Sequence, residues 1–180
     1  MPIERGSKIT KEKRHELFGE IAGGKGSTNP ENYQRAQIIK ETQIDCPKTN
    51  IRINLRTHKL HEISRPNVEE DGFDYSEDFD GRQFHHKKEI FLNMKCIVGK
   101  GGAQTRSLRE VYWFIQGQLL VLKKAGRDNL YFANILDGDE AHAVMSKYQY
   151  LLGLKEFADV KDKIYVGDLK GYIDWFAQNI

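Results

Sequence analysis

The chain has 180 residues, of which 39% are hydrophobic and 30% charged, and its formal net charge is +2. That length suits one domain with a real core, and no apolar run reaches the roughly 18 residues of a membrane span. The segment MPIERGSKITKEKRHELF has charges with no apolar stretch behind them, so it does not read as a secretory signal and a cytoplasmic location is expected. Two cysteines, Cys46 and Cys96, make neither a disulfide framework nor a C-x-x-C zinc pair, and both read as reduced and structural.

In chain order, residues 8–22 and 31–44 read as two short helices. Leu17, Phe18 and Ile21 share one face of the first, and Pro30 opens the second. The loop between them, AGGKGSTN, invites comparison with a P-loop. Gly19, Gly24 and Lys25 fit its first part, but Gly26 replaces the Mg²⁺-binding hydroxyl and the preceding segment is helical, so an NTPase is set aside. Ile51 to Thr57 alternates as a strand, and 63–77 reads as an acidic loop.

From Asp78 the pattern becomes regular: a short strand, then a strand over 90–98. Ile90, Leu92, Met94, Cys96 and Val98 lie on one face of it, and Phe91, Asn93, Lys95 and Ile97 on the other. A helix over about 105–124 follows, with Leu108, Val111, Tyr112, Ile115, Leu119 and Leu122 as its apolar stripe and Gly126 as its stop. Then come a buried strand 130–136, a helix 139–152, a short strand 164–166 and a closing helix 169–178. The order β-β-α-β-α-β-α predicts an α/β fold with a mixed central sheet flanked by helices. The whole chain, 1–180, reads as one domain: a helical segment 1–50, then a sheet core 51–180 that carries the site.

Charge is unevenly spread. Seven acids, Glu69, Glu70, Asp71, Asp74, Glu77, Asp78 and Asp80, lie between two basic flanks. An acidic pocket between such flanks suits a metal site that must attract polyphosphate, and the bland alternative is a charge-balanced surface. Asp80 precedes Gly81, which can turn the chain, and Asp78 reads as its helper. Lys95 can orient or activate water, or stabilise charge building on a phosphate; otherwise it is an exposed strand lysine. Ser107-x-x-Glu110 matches a capping box, yet Glu110 also lies one short loop beyond Lys95. Asp137 and Asp139 follow a buried strand, where Asp139 reads as an N-cap. The pairs His58/His61 and His85/His86 read as facing solvent or DNA rather than metal.

Asp80, the strand ending in Lys95 and the helix behind it resemble the core of PD-(D/E)xK nucleases. The block DFDG…NMK…GGAQTRSLREVYWFI resembles a segment of small type II restriction endonucleases. That family normally has an acid two residues before the lysine, where this chain has Asn93. The second acid then comes from the following helix, as Glu110. The resemblance implies a restriction-endonuclease-like fold and Mg²⁺-dependent, sequence-specific hydrolysis of double-stranded DNA. It further implies Asp80, Lys95 and Glu110 as catalytic residues, with Mg²⁺ on Asp80, Asn93 and Glu110. Lys100, Gln104, Arg106 and Arg109 become candidates for DNA contact. It implies a homodimer on a palindromic site, and a cognate methyltransferase that acts on the same DNA without binding this chain. The alternatives are a repair or junction nuclease of the same fold, or a catalytically silent DNA-binding module.

Overall fold

In a computed structural model, residues 10–12 and 29–180 are described. Most of the first predicted helix, with Gly19, and the glycine-rich loop as far as Thr28, with Gly24, Lys25 and Gly26, lie outside them. The chain enters through α1 (Asn29–Thr42), with Pro30 near its start as expected. The predicted strand at Ile51 is shorter than its alternation suggested. It stops at Asn54, whose side chain accepts from the Arg56 and Thr57 amides and turns the chain. β1 (Ile51–Asn54) therefore forms a hairpin with β2 (Lys59–Glu62). The stretch read as acidic loop contains a one-turn helix, α2 (Val68–Asp71), capped by Asn67, and a strand, β3 (Tyr75–Asp78). Together these strands make a three-stranded antiparallel sheet in the order β2-β1-β3.

A second sheet follows from β4 (Gly81–His85) and β5 (Lys88–Cys96). They are joined by a two-residue turn in which His86 and Lys87 both take positive φ, the geometry whose twist matches a hairpin. The long helix α3 (Gly102–Ala125) then crosses to β6 (Leu130–Asp137), which runs parallel to β5. The predicted helix 139–152 is broken at Val144 into α4 (Asp139–Ala143) and α5 (Met145–Leu152). β7 (Ile164–Gly167) adds parallel to β6, and α6 (Leu169–Asn179) closes the chain. The sheet order β4-β5-β6-β7 is mixed, as the alternation of elements predicted.

The alternation in β5 sorts its side chains onto two cores. Phe91 and Ile97 pack with Phe132, Ile115 and Leu119 under α3. Ile90, Leu92 and Met94 pack with Ile38 of α1 and Tyr172 and Phe176 of α6. The sheet is thus covered on both faces, which places the carboxyl ends of the parallel strands at an open edge of the layers. Among the described residues no helix is long and apolar enough to cross a membrane.

Candidate active site

Asp80 sits in the kink between the two sheets. Just before it Phe79 is driven inward, 1% exposed, against the rings of Phe91, Phe114 and Phe132. The Phe79 carbonyl accepts from Thr49 Oγ1 at 2.7 Å, and Arg35 donates to the Asp80 carbonyl. Just after it Gly81 begins β4, where an added Cβ would lie 2.6 Å from the Cys46 sulfur. Close approach, rather than the sharp turn expected of it, is what requires glycine here. The carboxylate is consequently held: Oδ2 accepts from the Met94 N–H at 2.7 Å on the neighbouring strand.

Lys95 lies near the end of β5, and its ammonium pairs with Glu77 Oε2 at 3.1 Å. Burial pushes the Asp80 carboxyl up to about 6, against the pull of Lys95 and the Met94 N–H and with the added repulsion of Glu31 and Glu77. Burial draws the Lys95 ammonium down, but Asp80 and Glu77 together outweigh it and hold Lys95 above its ordinary value. Lys95 is therefore a fixed cation at neutral pH. In front of it lies a cleft of about 310 Å³, bordered by Glu31 at the start of α1, Glu77, Lys95, Cys96, and Ser107 and Glu110 on α3.

The structure sorts the sequence-based candidates. Asp80 and Lys95 come together, and Glu110 borders the same cleft as Lys95. The capping box is absent: α3 starts at Gly102 with Gly101 as N-cap and no side-chain cap bond, so Ser107 and Glu110 lie inside the helix. An earlier start frees Glu110 from that competing role. Asp78 is not the helper expected; it faces Arg52 at 3.7 Å, and its neighbour Glu77 turns to Lys95. Alternation in an extended segment explains the swap, since the bend after Phe79 reverses which acid shares a side with Asp80. Asp139 is the first residue of α4 rather than its cap, and its Oδ1 accepts from the Gly99 amide at 3.0 Å. It ties down the joint after β5, where Gly138 at φ 104 leaves no room for a Cβ beside the Ile97 carbonyl.

Asn93 stands apart from the cleft. It is 0% exposed, and its Nδ2 donates to Asn134 Oδ1 at 3.2 Å, which also accepts from Gln118 Nε2 at 3.0 Å. Its Oδ1 has no hydrogen-bond partner among the described residues. Of the residues considered for DNA contact, Lys100, Arg106 and Arg109 are exposed and Gln104 is half-buried. All four lie at or within the first turns of α3. His61 packs edge-on against Tyr75, and His85 contacts His86 and Phe176; none of these borders the cleft. Cys46 is buried, which pushes its thiol up to about 11.

Sequence reasoning missed three contributors. Glu31 and Glu77 were indistinguishable from other acids on helix and loop. Gln34 carried no signal at all. Its Nε2 donates to the Lys95 carbonyl at 3.2 Å and to Asp137 Oδ2 at 2.7 Å, so it braces the end of β5 from behind. Asp137, wholly buried and also accepting from the Leu169 amide, is pushed up to about 6 by that burial.

The oxygen donors bordering the cleft are of the kind that hold a hard cation such as Mg²⁺. Among the described residues, however, no three His, Cys, Asp or Glu side chains are grouped closely enough to hold a metal ion. Comparisons with family models, curated proteins and solved structures found no match.

Proposed function

We propose that this protein is a Mg²⁺-dependent endonuclease of the type II restriction class, hydrolysing double-stranded DNA on a restriction-endonuclease-like core. The observation that carries the reading is the meeting of Asp80, Lys95 and Glu77 at the carboxyl end of β5, where Lys95 and Glu77 border a cleft together with Glu31 and Glu110. Asp80 and Glu110, with Glu77 beside them, are the residues this reading assigns to the ion, although as they stand the three are not grouped closely enough to hold it. Asp80 offers Oδ1, because Oδ2 is committed to the Met94 N–H. Bound Mg²⁺ supplies Lewis acidity toward the phosphate and an acidified water.

The chain's own groups do the rest. Lys95, held protonated, stabilises the negative charge that builds on the phosphate during attack instead of taking a proton. Glu77 and Asp80 fix its ammonium in place. Lys100, Arg106 and Arg109 are exposed around the start of α3, the helix whose Ser107 and Glu110 border the cleft, and such cations suit the DNA backbone, with the half-buried Gln104 among them. Two copies of the chain would match the two half-sites of a palindrome.

The test is digestion of a mapped plasmid with Mg²⁺, with Mn²⁺ and with a chelator. Discrete, sequence-defined fragments in Mg²⁺ alone and in Mn²⁺ are expected, with loss in Asp80→Ala and Lys95→Ala. Removing a single charge-stabilising group costs about 100- to 1,000-fold in rate. Undiminished cutting by either variant would refute the assignment. A preference for branched over linear duplexes would point to repair or junction resolution.

A second reading is a silent DNA-binding module, favoured by the burial of Asn93 and by the lack, among the described residues, of a ready three-acid group. Salt-dependent binding with no cleavage in either metal would establish it.

A further inference from the structure

On the other side of Glu77 and Glu110 lies a second pocket of about 310 Å³, lined by Leu55, Ser76, Glu77, Glu110, Trp113 and Phe114. Both carboxylates border it and the acid–lysine cleft alike, so the two hollows adjoin. Its walls are mainly apolar, yet Trp113 is 56% exposed and Leu55 42% exposed. Phe114, the neighbour of Trp113 in sequence, is by contrast locked in the core against Phe79. Tyr112 meets the Trp113 ring edge-on with centroids 5.2 Å apart, which steadies the indole without covering it. The polar rim is chemically one-sided. Ser76 is spent on the Ile53 amide and the Glu77 carbonyl, which leaves carboxylate acceptors. Arg106 lies exposed one turn before Glu110 on the same stretch of α3.

A flat π-face, carboxylate acceptors beside it and an arginine one turn away match one kind of occupant. A nucleobase offers a ring to stack, amino groups to donate and a phosphate at a fixed remove. A second copy of this chain would have to present donors to Glu77 and Glu110 across a pocket only a few residues wide. We propose that this pocket receives one unstacked nucleobase, with its phosphate lying toward Lys95; the direction of the phosphate rests on the nuclease reading, and base binding does not. The occupant is a base turned out of a duplex or already single-stranded.

The chain has two tryptophans, and Trp175 packs among Tyr131, Tyr165 and Tyr172. Trp175→Phe therefore leaves Trp113 as the reporter. In that background with Lys95→Ala and a chelator present, a single-stranded oligonucleotide is expected to quench Trp113 emission, and an abasic strand of equal length is not. Trp113→Ala is expected to weaken binding of the base-bearing strand by about 5- to 150-fold and to leave the abasic strand unchanged, while Trp113→Phe retains most of the affinity. Equal binding of the two strands, or no effect of Trp113→Ala, overturns the proposal. So does a dimer in sedimentation that Trp113→Ala dissolves, which would assign the pocket to a second copy. Quenching without any cleavage by the unaltered protein would leave the pocket standing and remove the nuclease reading. Cleavage without quenching would do the reverse.

Discussion

Asp80→Asn is expected to remove cleavage and yet strengthen the fold at neutral pH. Burial raises the Asp80 carboxyl from an ordinary 3.8 to about 6 in the folded protein. The folded state thus holds this proton more tightly than the unfolded chain. Its contribution to stability is fully present below pH 3.8 and is lost as pH rises through about 6. Above that, keeping the charge inside the fold costs roughly 3 kcal/mol. Asparagine has the same shape, retains an oxygen for the Met94 N–H, and carries no charge. The lost attraction to Lys95 is already contained in that cost, and Lys95 keeps Glu77 at 3.1 Å and the charge of Glu31; part of the gain is offset because asparagine buries an extra N–H donor. A net stabilisation of about 1–2 kcal/mol at pH 8 should result, falling toward zero at pH 4. Urea titrations at the two pH values, with unchanged m, measure it. A destabilised variant at pH 8, or a gain independent of pH, would refute the reasoning about burial. A site kept charged at the expense of stability is one that function explains.

The other expectations concern neighbours of this site. Asn93→Asp should not raise cleavage, and it should cost about 1–3 kcal/mol in a urea titration, because it replaces the donor to Asn134 with a second buried acceptor. Glu77→Gln and Glu110→Gln should each lower Mg²⁺-dependent cleavage and raise the Mg²⁺ concentration at half-maximal rate, whereas Asp78→Ala, on the Arg52 side, should stay near the unaltered protein. Phe79→Ala should lose about 3–5 kcal/mol by thermal or urea unfolding, since the ring is centred among three other phenylalanines 4.8–5.3 Å away. Its loss should also slow cleavage, by loosening the residue just before Asp80.

Reading by periodicity worked best where an element's faces differ strongly. The two faces of β5 were assigned correctly because they lead to two separate cores. The stripe of α3 from Leu108 to Leu122 was found for the same reason, although Tyr112 is only half-buried. Short and polar elements escaped. β2 has no fully buried residue and β3 has none either, so both depend on pairing with β1 rather than on a pattern of their own. The first turn of α3 was hidden because it opens on Gly102 directly after the N-cap Gly101, and glycine is a poor helix former.

The residues themselves determined the order of elements from Asp78 onward, the amphipathic stripes, and the closeness of Asp80 to Lys95, since one short hairpin brings them side by side. Those are local consequences of alternation and of a two-residue turn. Which acid joins that pair was a tertiary matter. Glu77 was chosen over Asp78 by the bend that buries Phe79, and Glu31 arrives from a helix some fifty residues earlier in the chain. The fate of Asn93, turned to Asn134 inside the core, was settled likewise by packing between β5, β6 and α3. No spacing along one strand records what lies across the sheet from it.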